Sequence, residues 1–110
     1  MNQAERFMAA FEGFTAAHGQ TQISDERRAG KQKAKSFIVR KPLTLELIVA
    51  HLEGKHGVGS IPINENNECR WGCIDVDIYN LDHLSIMRNI KGMGFPLVTF
   101  RSKSGGAHLF

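Results

Sequence analysis

The sequence has no apolar run approaching the ~18 residues of a membrane-spanning helix. Its N-terminus, Met1-Asn-Gln-Ala-Glu5, is polar and lacks the basic segment and apolar run of a secretory leader. It has only two cysteines, Cys69 and Cys73, four positions apart. With His51 or His56 they have a possible zinc spacing, but the second cysteine pair of a typical structural zinc site is missing. No internal repeat or low-complexity tract is present. These absences set the expectation of a reducing, cytoplasmic setting with no disulfide and no membrane partner.

Acidic residues are also missing from one long stretch. Residues 27–41 contain no Asp or Glu, yet they hold seven of the fourteen Lys and Arg: Arg27, Arg28, Lys31, Lys33, Lys35, Arg40 and Lys41. The rest of the chain carries seven bases against eleven acids, so the formal net charge of +3 is a local feature. A concentrated basic run is either solvated surface or a contact for nucleic-acid phosphates. The length of 110 residues and hydrophobic content of 42% fit one globular domain or part of one.

Residues 3–18 read as a helix. Phe7, Phe11 and Phe14 recur at helical spacing among good helix formers, although Gly13 interrupts them. Residues 19–41 read as a mobile, basic connector with a short strand at 36–40. A second helix is expected over 42–54, with Thr44 as its N-cap, Leu45, Ile48 and Leu52 as its face and Gly54 as its stop. His51 on that helix reads as a packing residue. The glycines of Gly54-Lys-His-Gly-Val-Gly-Ser60 follow a helix rather than a strand. They therefore read as a turn into a strand at Val58–Ile63, not as a phosphate loop. Asn64-Glu-Asn-Asn67 is a turn cluster.

The chemistry concentrates from Trp71 onward. Trp71-Gly-Cys-Ile-Asp-Val-Asp-Ile-Tyr79 reads as a strand, with Asp75 and Asp77 on one face and Ile74, Val76 and Ile78 on the other. A third helix follows, capped by Asn80 or Asp82, with Leu84, Met87 and Ile90 as its buried stripe, Ile86 and Met93 at the margins, and Gly92 and Gly94 at its end. Leu97–Lys103 is a further strand, Ser104–Ala107 a glycine-permitted turn, and His108–Phe110 the start of another strand. The order is β-α-β-β. A right-handed crossover makes the first two strands parallel with a gap between them, and in a split β-α-β sheet the return strand fills that gap. His108 would then lie beside Asp75 and Asp77 on an open sheet face, with the helix on the other. The expected class is α+β, an RRM-like split β-α-β sheet preceded by N-terminal helices.

Two carboxylates at i, i+2 repel unless a cation lies between them, and hard cations such as Mg²⁺ or Mn²⁺ accept such a pair while leaving positions for phosphate oxygens. Arg101, Lys103, Ser104, the Gly105 and Gly106 amides and His108 form a set of donors suited to a triphosphate. An acid pair with an anion cradle is what nucleotidyl transfer needs. The EF-hand alternative fails, because the sixth position of Asp75–Asn80 is not glycine. Two other readings stay open: a nucleic-acid-binding module without chemistry, and a metal-dependent phosphodiesterase.

Ile74-Asp-Val-Asp77 followed by Arg101-Ser-Lys-Ser-Gly-Gly-Ala-His-Leu-Phe110 resembles the first two motifs of the archaeo-eukaryotic primase superfamily. The similarity is to the primase-polymerase type of phages, plasmids and TOTE conflict systems. The Arg6-Phe7…Phe11-x-Gly13 segment, the Pro42–Gly54 helix and Gly57-Val-Gly-Ser-Ile-Pro62 also resemble that group. The resemblance implies that Asp75 and Asp77 are catalytic metal ligands and that His108, with Ser104 and Lys103, binds the incoming nucleotide. It implies synthesis or extension of primers from nucleoside triphosphates on a DNA template, and an RRM-like catalytic sheet. It divides the chain into an N-terminal helix and basic connector (1–41) and the N-terminal part of a catalytic core (42–110). It also implies a third carboxylate motif outside these residues, and further C-terminal domains such as a helicase.

Overall fold

Asn2 starts the first helix, α1 (Gln3–Ala10): its side chain accepts from the Glu5 amide, and the Glu5 carboxylate accepts from the Asn2 amide in a reciprocal capping box. The computed structural model describes residues 1–28 and 31–110, with side chains described for 1–22 and 33–110. The helix is shorter than the expected 3–18. Phe11 ends it with an amide bond to Phe7 O, and the Phe14 amide donates to Ile61 O instead of continuing the turn. The first part of the aromatic stripe holds, with the Phe7 and Phe11 rings 5.0 Å apart. Phe14 lies beyond the helix.

The basic stretch is not a connector. It belongs to two strands, β1 (His18–Arg28) and β2 (Lys31–Val39), which with β3 (Gly57–Gly59) form a sheet of order β2-β1-β3. Lys33 and Lys35, two positions apart on β2, are both exposed, so their charge does not prevent strand formation. β1 pairs antiparallel with β3, Gly19 opposite Gly59. His18 is buried; its Nδ1–H donates to Lys41 O at 2.7 Å and its Nε2 accepts from Gln20 Nε2 at 3.1 Å. That bond ties the start of β1 to the end of the basic stretch.

The second helix, α2 (Leu45–Leu52), is capped as expected by Thr44, whose hydroxyl accepts from the Leu47 amide at 3.3 Å, and Gly54 follows its end. Ile48 is its anchor at 2% exposure, whereas Leu52 of the expected face is exposed. His51 packs as expected, its Nδ1–H donating to His56 O at 2.8 Å and its ring 5.7 Å from Phe7. The strand expected over Val58–Ile63 is shorter and earlier, because β1 offers partners only to Gly57, Val58 and Gly59. Asn64–Asn67 is a turn, with the Asn67 amide donating to Asn64 O.

The remaining elements are β4 (Ile74–Val76), α3 (His83–Gly92), β5 (Thr99–Arg101) and β6 (Ala107–Leu109). Their sheet has the order β4-β6-β5, and β6 runs antiparallel to both neighbours, so the return strand lies between β4 and β5. Val98 and Phe110 extend the β5–β6 pairing by exchanging two backbone bonds of 2.8 and 3.0 Å. Asp82 caps α3, accepting from the Ser85 amide and hydroxyl. The core of this part is Ile90, Ala107 and Leu109, joined by Val76, Leu81, Ile86 and Leu97.

The stripe expected on α3 is corrected. Leu84 and Met87 are 60% and 48% exposed, and the helix packs through Ile86 and Ile90. His83, one turn before Ile86, donates from Nε2 to Gly106 O at 2.7 Å. That bond fixes the helix rotation and turns Leu84 and Met87 outward.

The described residues are thus α+β, with three helices and two small antiparallel sheets. Its compact units are Met1–Asp25 with Lys33–Trp71, and Glu26–Gln32 with Gly72–Phe110. Among the described residues no helix is long and apolar enough to cross a membrane.

Candidate active site

In β4, alternation sends Val76 into the core and Asp75 to the opposite face. The register places Asp75 opposite His108 and His108 opposite Phe100, in a row across three strands. His108 Nε2 stands 3.5 Å from Asp75 Oδ1, an ion-pair distance when the imidazole is protonated. The helix packs on the other face through Ala107 and Leu109, so this row is left open.

Asp77 lies just beyond β4. One of its oxygens accepts from the Tyr79 hydroxyl at 2.7 Å. The Tyr79 phenol is held above its ordinary value, first by that hydrogen bond, then by desolvation and by the charges of Asp77 and Asp75. Both carboxylates therefore act on one phenol. The Cys73 thiol is also pushed up, by burial first and then by the charge of Asp75. Cys69 and Cys73 are both free thiols.

The turn after β5 is built to meet this strand. Ser102 donates to Gly106 O at 3.0 Å and Gly105 donates to Ser102 O at 3.1 Å, closing a three-residue hairpin loop whose last position is left-handed. Gly105 fills that position at φ +91. A Cβ on Gly106 would lie 2.4 Å from Val76 O, and one on Gly105 would lie 3.1 Å from Tyr79 O. Glycine at both positions lets the turn backbone lie directly on the carbonyls that follow Asp75 and Asp77.

The expected phosphate donors are not all alike. Lys103 is exposed at the turn tip, and Ser104 is buried within it. The Gly105 amide is engaged inside the turn. Arg101 pairs with Ala107, itself opposite Val76, and so lies on the helix side of the sheet, away from His108. Of the basic set, Lys33, Lys35, Arg40 and Lys41 are exposed in or just after β2. The side chains of Arg27, Arg28 and Lys31 lie outside the described residues. Tyr79 and His83 are the contributors that sequence reasoning missed. Tyr79 was detectable by its spacing from the two acids, whereas His83 depends on a carbonyl contact that no spacing announces.

Asp75 and Asp77 are exposed and supply oxygen ligands only, a donor set that suits Mg²⁺ or Mn²⁺ with water and phosphate completing the shell. Among the described residues no group of three or more His, Cys, Asp or Glu is gathered for a metal.

The sheet thus brings one acid, Asp75, and one imidazole, His108, together on the face away from the helix, with Asp77 just past the strand end. The chain matches the family described as the archaeo-eukaryotic primase domain of the TOTE conflict system over residues 4–110, and it belongs to that family. Domains of this superfamily are generally primase- or polymerase-type nucleotidyltransferases and are typically dependent on divalent metal. Neither the curated proteins nor the solved structures yield a match.

Proposed function

We propose that this chain carries the nucleotide-handling part of a DNA primase/polymerase, which makes or extends primers from nucleoside triphosphates. The observation that carries this reading is the register that sets His108 opposite Asp75, with 3.5 Å between Nε2 and Oδ1, on the sheet face away from the helix. Family membership supports nucleotidyl transfer as the general reaction. Asp75 and Asp77 are the residues to hold Mg²⁺ or Mn²⁺. Held there, such an ion would supply charge stabilisation for phosphoryl transfer.

The chain's own residues have distinct tasks. His108 donates toward a phosphate oxygen from the middle strand. Lys103 approaches from the turn tip, and the Gly106 backbone brings that turn close to the acids. Ser104, buried in the turn, supports its shape. Arg101, on the helix side, reaches the same phosphates only around the sheet end. The sheet itself is proposed as the start of an RRM-like catalytic fold. Lys33 and Lys35 on β2, with Arg40 and Lys41 just after it, form a basic run suited to template or primer phosphates, and further domains such as a helicase are proposed partners.

Mn²⁺-dependent incorporation of labelled nucleotide tests the reading, on this chain and on any longer protein that carries it. Replacing both acids, Asp75→Ala with Asp77→Ala, is expected to lower the rate at least ~100-fold, since even outer-shell changes at metal sites cost 10–100-fold. An unchanged rate sinks the proposal. Cleavage of labelled DNA without nucleoside triphosphate would favour the phosphodiesterase reading instead. DNA binding indifferent to Mn²⁺, with no incorporation, would favour a binding module.

A further inference from the structure

The row that begins with Asp75 and His108 does not end in a polar group. Phe100 is directly opposite His108 on β5 and shares its face. Phe110, two residues beyond His108, returns to that face as well, and Val98 is paired with it. The Phe100 and Phe110 rings meet edge to face at 5.5 Å, and Phe110 meets the His108 ring at 6.1 Å in the same manner. Phe100 remains 46% exposed and Val98 60% exposed. The open face is therefore graded: carboxylate on one edge, imidazole in the middle, phenyl and valine on the other edge.

We infer that Phe100, supported by Phe110 and Val98, is the seat for the base and sugar of the incoming nucleoside triphosphate. The proposal rests on the reading of Asp75, Asp77 and His108 as the phosphate end of the same site. Neighbouring strands are about 5 Å apart and successive same-face residues about 7 Å. Phe100 and Phe110 thus lie one short step from His108 in two directions. A nucleotide whose phosphates meet His108 extends its sugar and base over one of them. Exposed aromatics on a sheet are a common stacking surface for bases, and stacking tolerates all four because each has a π-face. Two edge-to-face rings hold each other's orientation, which lowers the ordering cost of stacking a third ring on them. The charge pattern selects the occupant. A mononucleotide carries its anionic and aromatic ends within one small molecule, as this face requires.

Binding measured on the full 110-residue chain with Mn²⁺ tests the assignment, using a nucleoside triphosphate and inorganic tripolyphosphate as the probes. Phe100→Ala is expected to weaken the nucleoside triphosphate roughly 5- to 150-fold, the range given by base–aromatic stacking, and to leave tripolyphosphate unchanged. Phe100→Trp is expected to retain or tighten nucleotide binding. Asp75→Ala should weaken both probes. Because Phe100 is half exposed, its removal is compatible with folding, and an unchanged thermal midpoint checks this. Equal loss of both probes in Phe100→Ala, or loss of neither, overturns the seat while leaving the phosphate site standing. Loss of single-stranded oligonucleotide binding without loss of the mononucleotide also overturns it. A wild-type chain that binds neither probe in the presence of Mn²⁺ removes the seat together with the reading beneath it.

Discussion

Tyr79 is the one tyrosine in the chain, so its ionisation can be followed in isolation by ultraviolet absorbance. Its hydroxyl donates to Asp77, and a phenol that gives up its proton beside that carboxylate loses the bond and gains a repulsion. The titration is therefore expected above the ordinary tyrosine value of 10.0, and Asp77→Asn should return it most of the way. Asp75→Asn should have the smaller effect, because Asp75 acts through charge alone. The linkage sign follows from the raised folded value. The contribution to stability is complete below the unfolded pKa, near 10, and disappears as pH rises through the higher folded value. An ordinary titration in the wild-type chain would mean that the 75–77–79 face is not formed. The placing of His108 beside Asp75 was readable at this scale, because strand alternation is strictly two-fold. Arg101 was not. Its face depends on the number of residues in the hairpin loop, and a loop of three with a bulge gives it the parity of Ala107 rather than of His108.

The turn over 102–106 is closely constrained by the carbonyls it meets. Gly106→Ala would force the turn away from Val76 O, and Gly105→Ala would add a side chain at φ +91. Each change is expected to cost about 1–3 kcal/mol, read by chemical denaturation. Both should also loosen the distance between His108 and Asp75. Full stability in Gly106→Ala would contradict the close packing of turn and strand. In the other unit Ile48 is the test residue, and Ile48→Ala is expected to lose about 2–5 kcal/mol. Helix starts were legible because Thr44 and Asp82 are capping residues followed by helical spacing. Strand lengths were not. Alternation runs from Trp71 to Tyr79, but only Ile74–Val76 find partners, because β6 offers just Ala107, His108 and Leu109. The α3 stripe held at Ile90 but not at Leu84 and Met87, for a related reason. Leu84, Ile86, Met87 and Ile90 allow two faces, and the His83 contact with Gly106 selects one of them.

At the scale of the whole chain, charge is partitioned by element. β2 and the residues just after it carry Lys33, Lys35, Arg40 and Lys41, exposed, with Phe37 and Ile38 also exposed among them. The acids and His108 belong to a different unit. The local concentration of bases was plain from composition. Its arrangement along a strand was not, because polar, charged segments without apolar alternation have the same composition as loops. The partition predicts separable binding. Replacing Lys33, Lys35, Arg40 and Lys41 together by Gln is expected to weaken single-stranded DNA and to flatten its salt dependence. Each phosphate contact contributes about 0.7 to the slope of log K against log salt on a single strand, so four lost contacts amount to roughly 3. Mononucleotide binding in Mn²⁺ should be retained within about twofold, since none of the four is assigned to the phosphate or base site. The reverse variant, Asp75→Ala with Asp77→Ala, should leave the DNA slope intact while losing the nucleotide. A slope that survives the four substitutions would place the nucleic-acid contacts elsewhere, and a nucleotide affinity that falls with them would show that the basic strand belongs to the catalytic face.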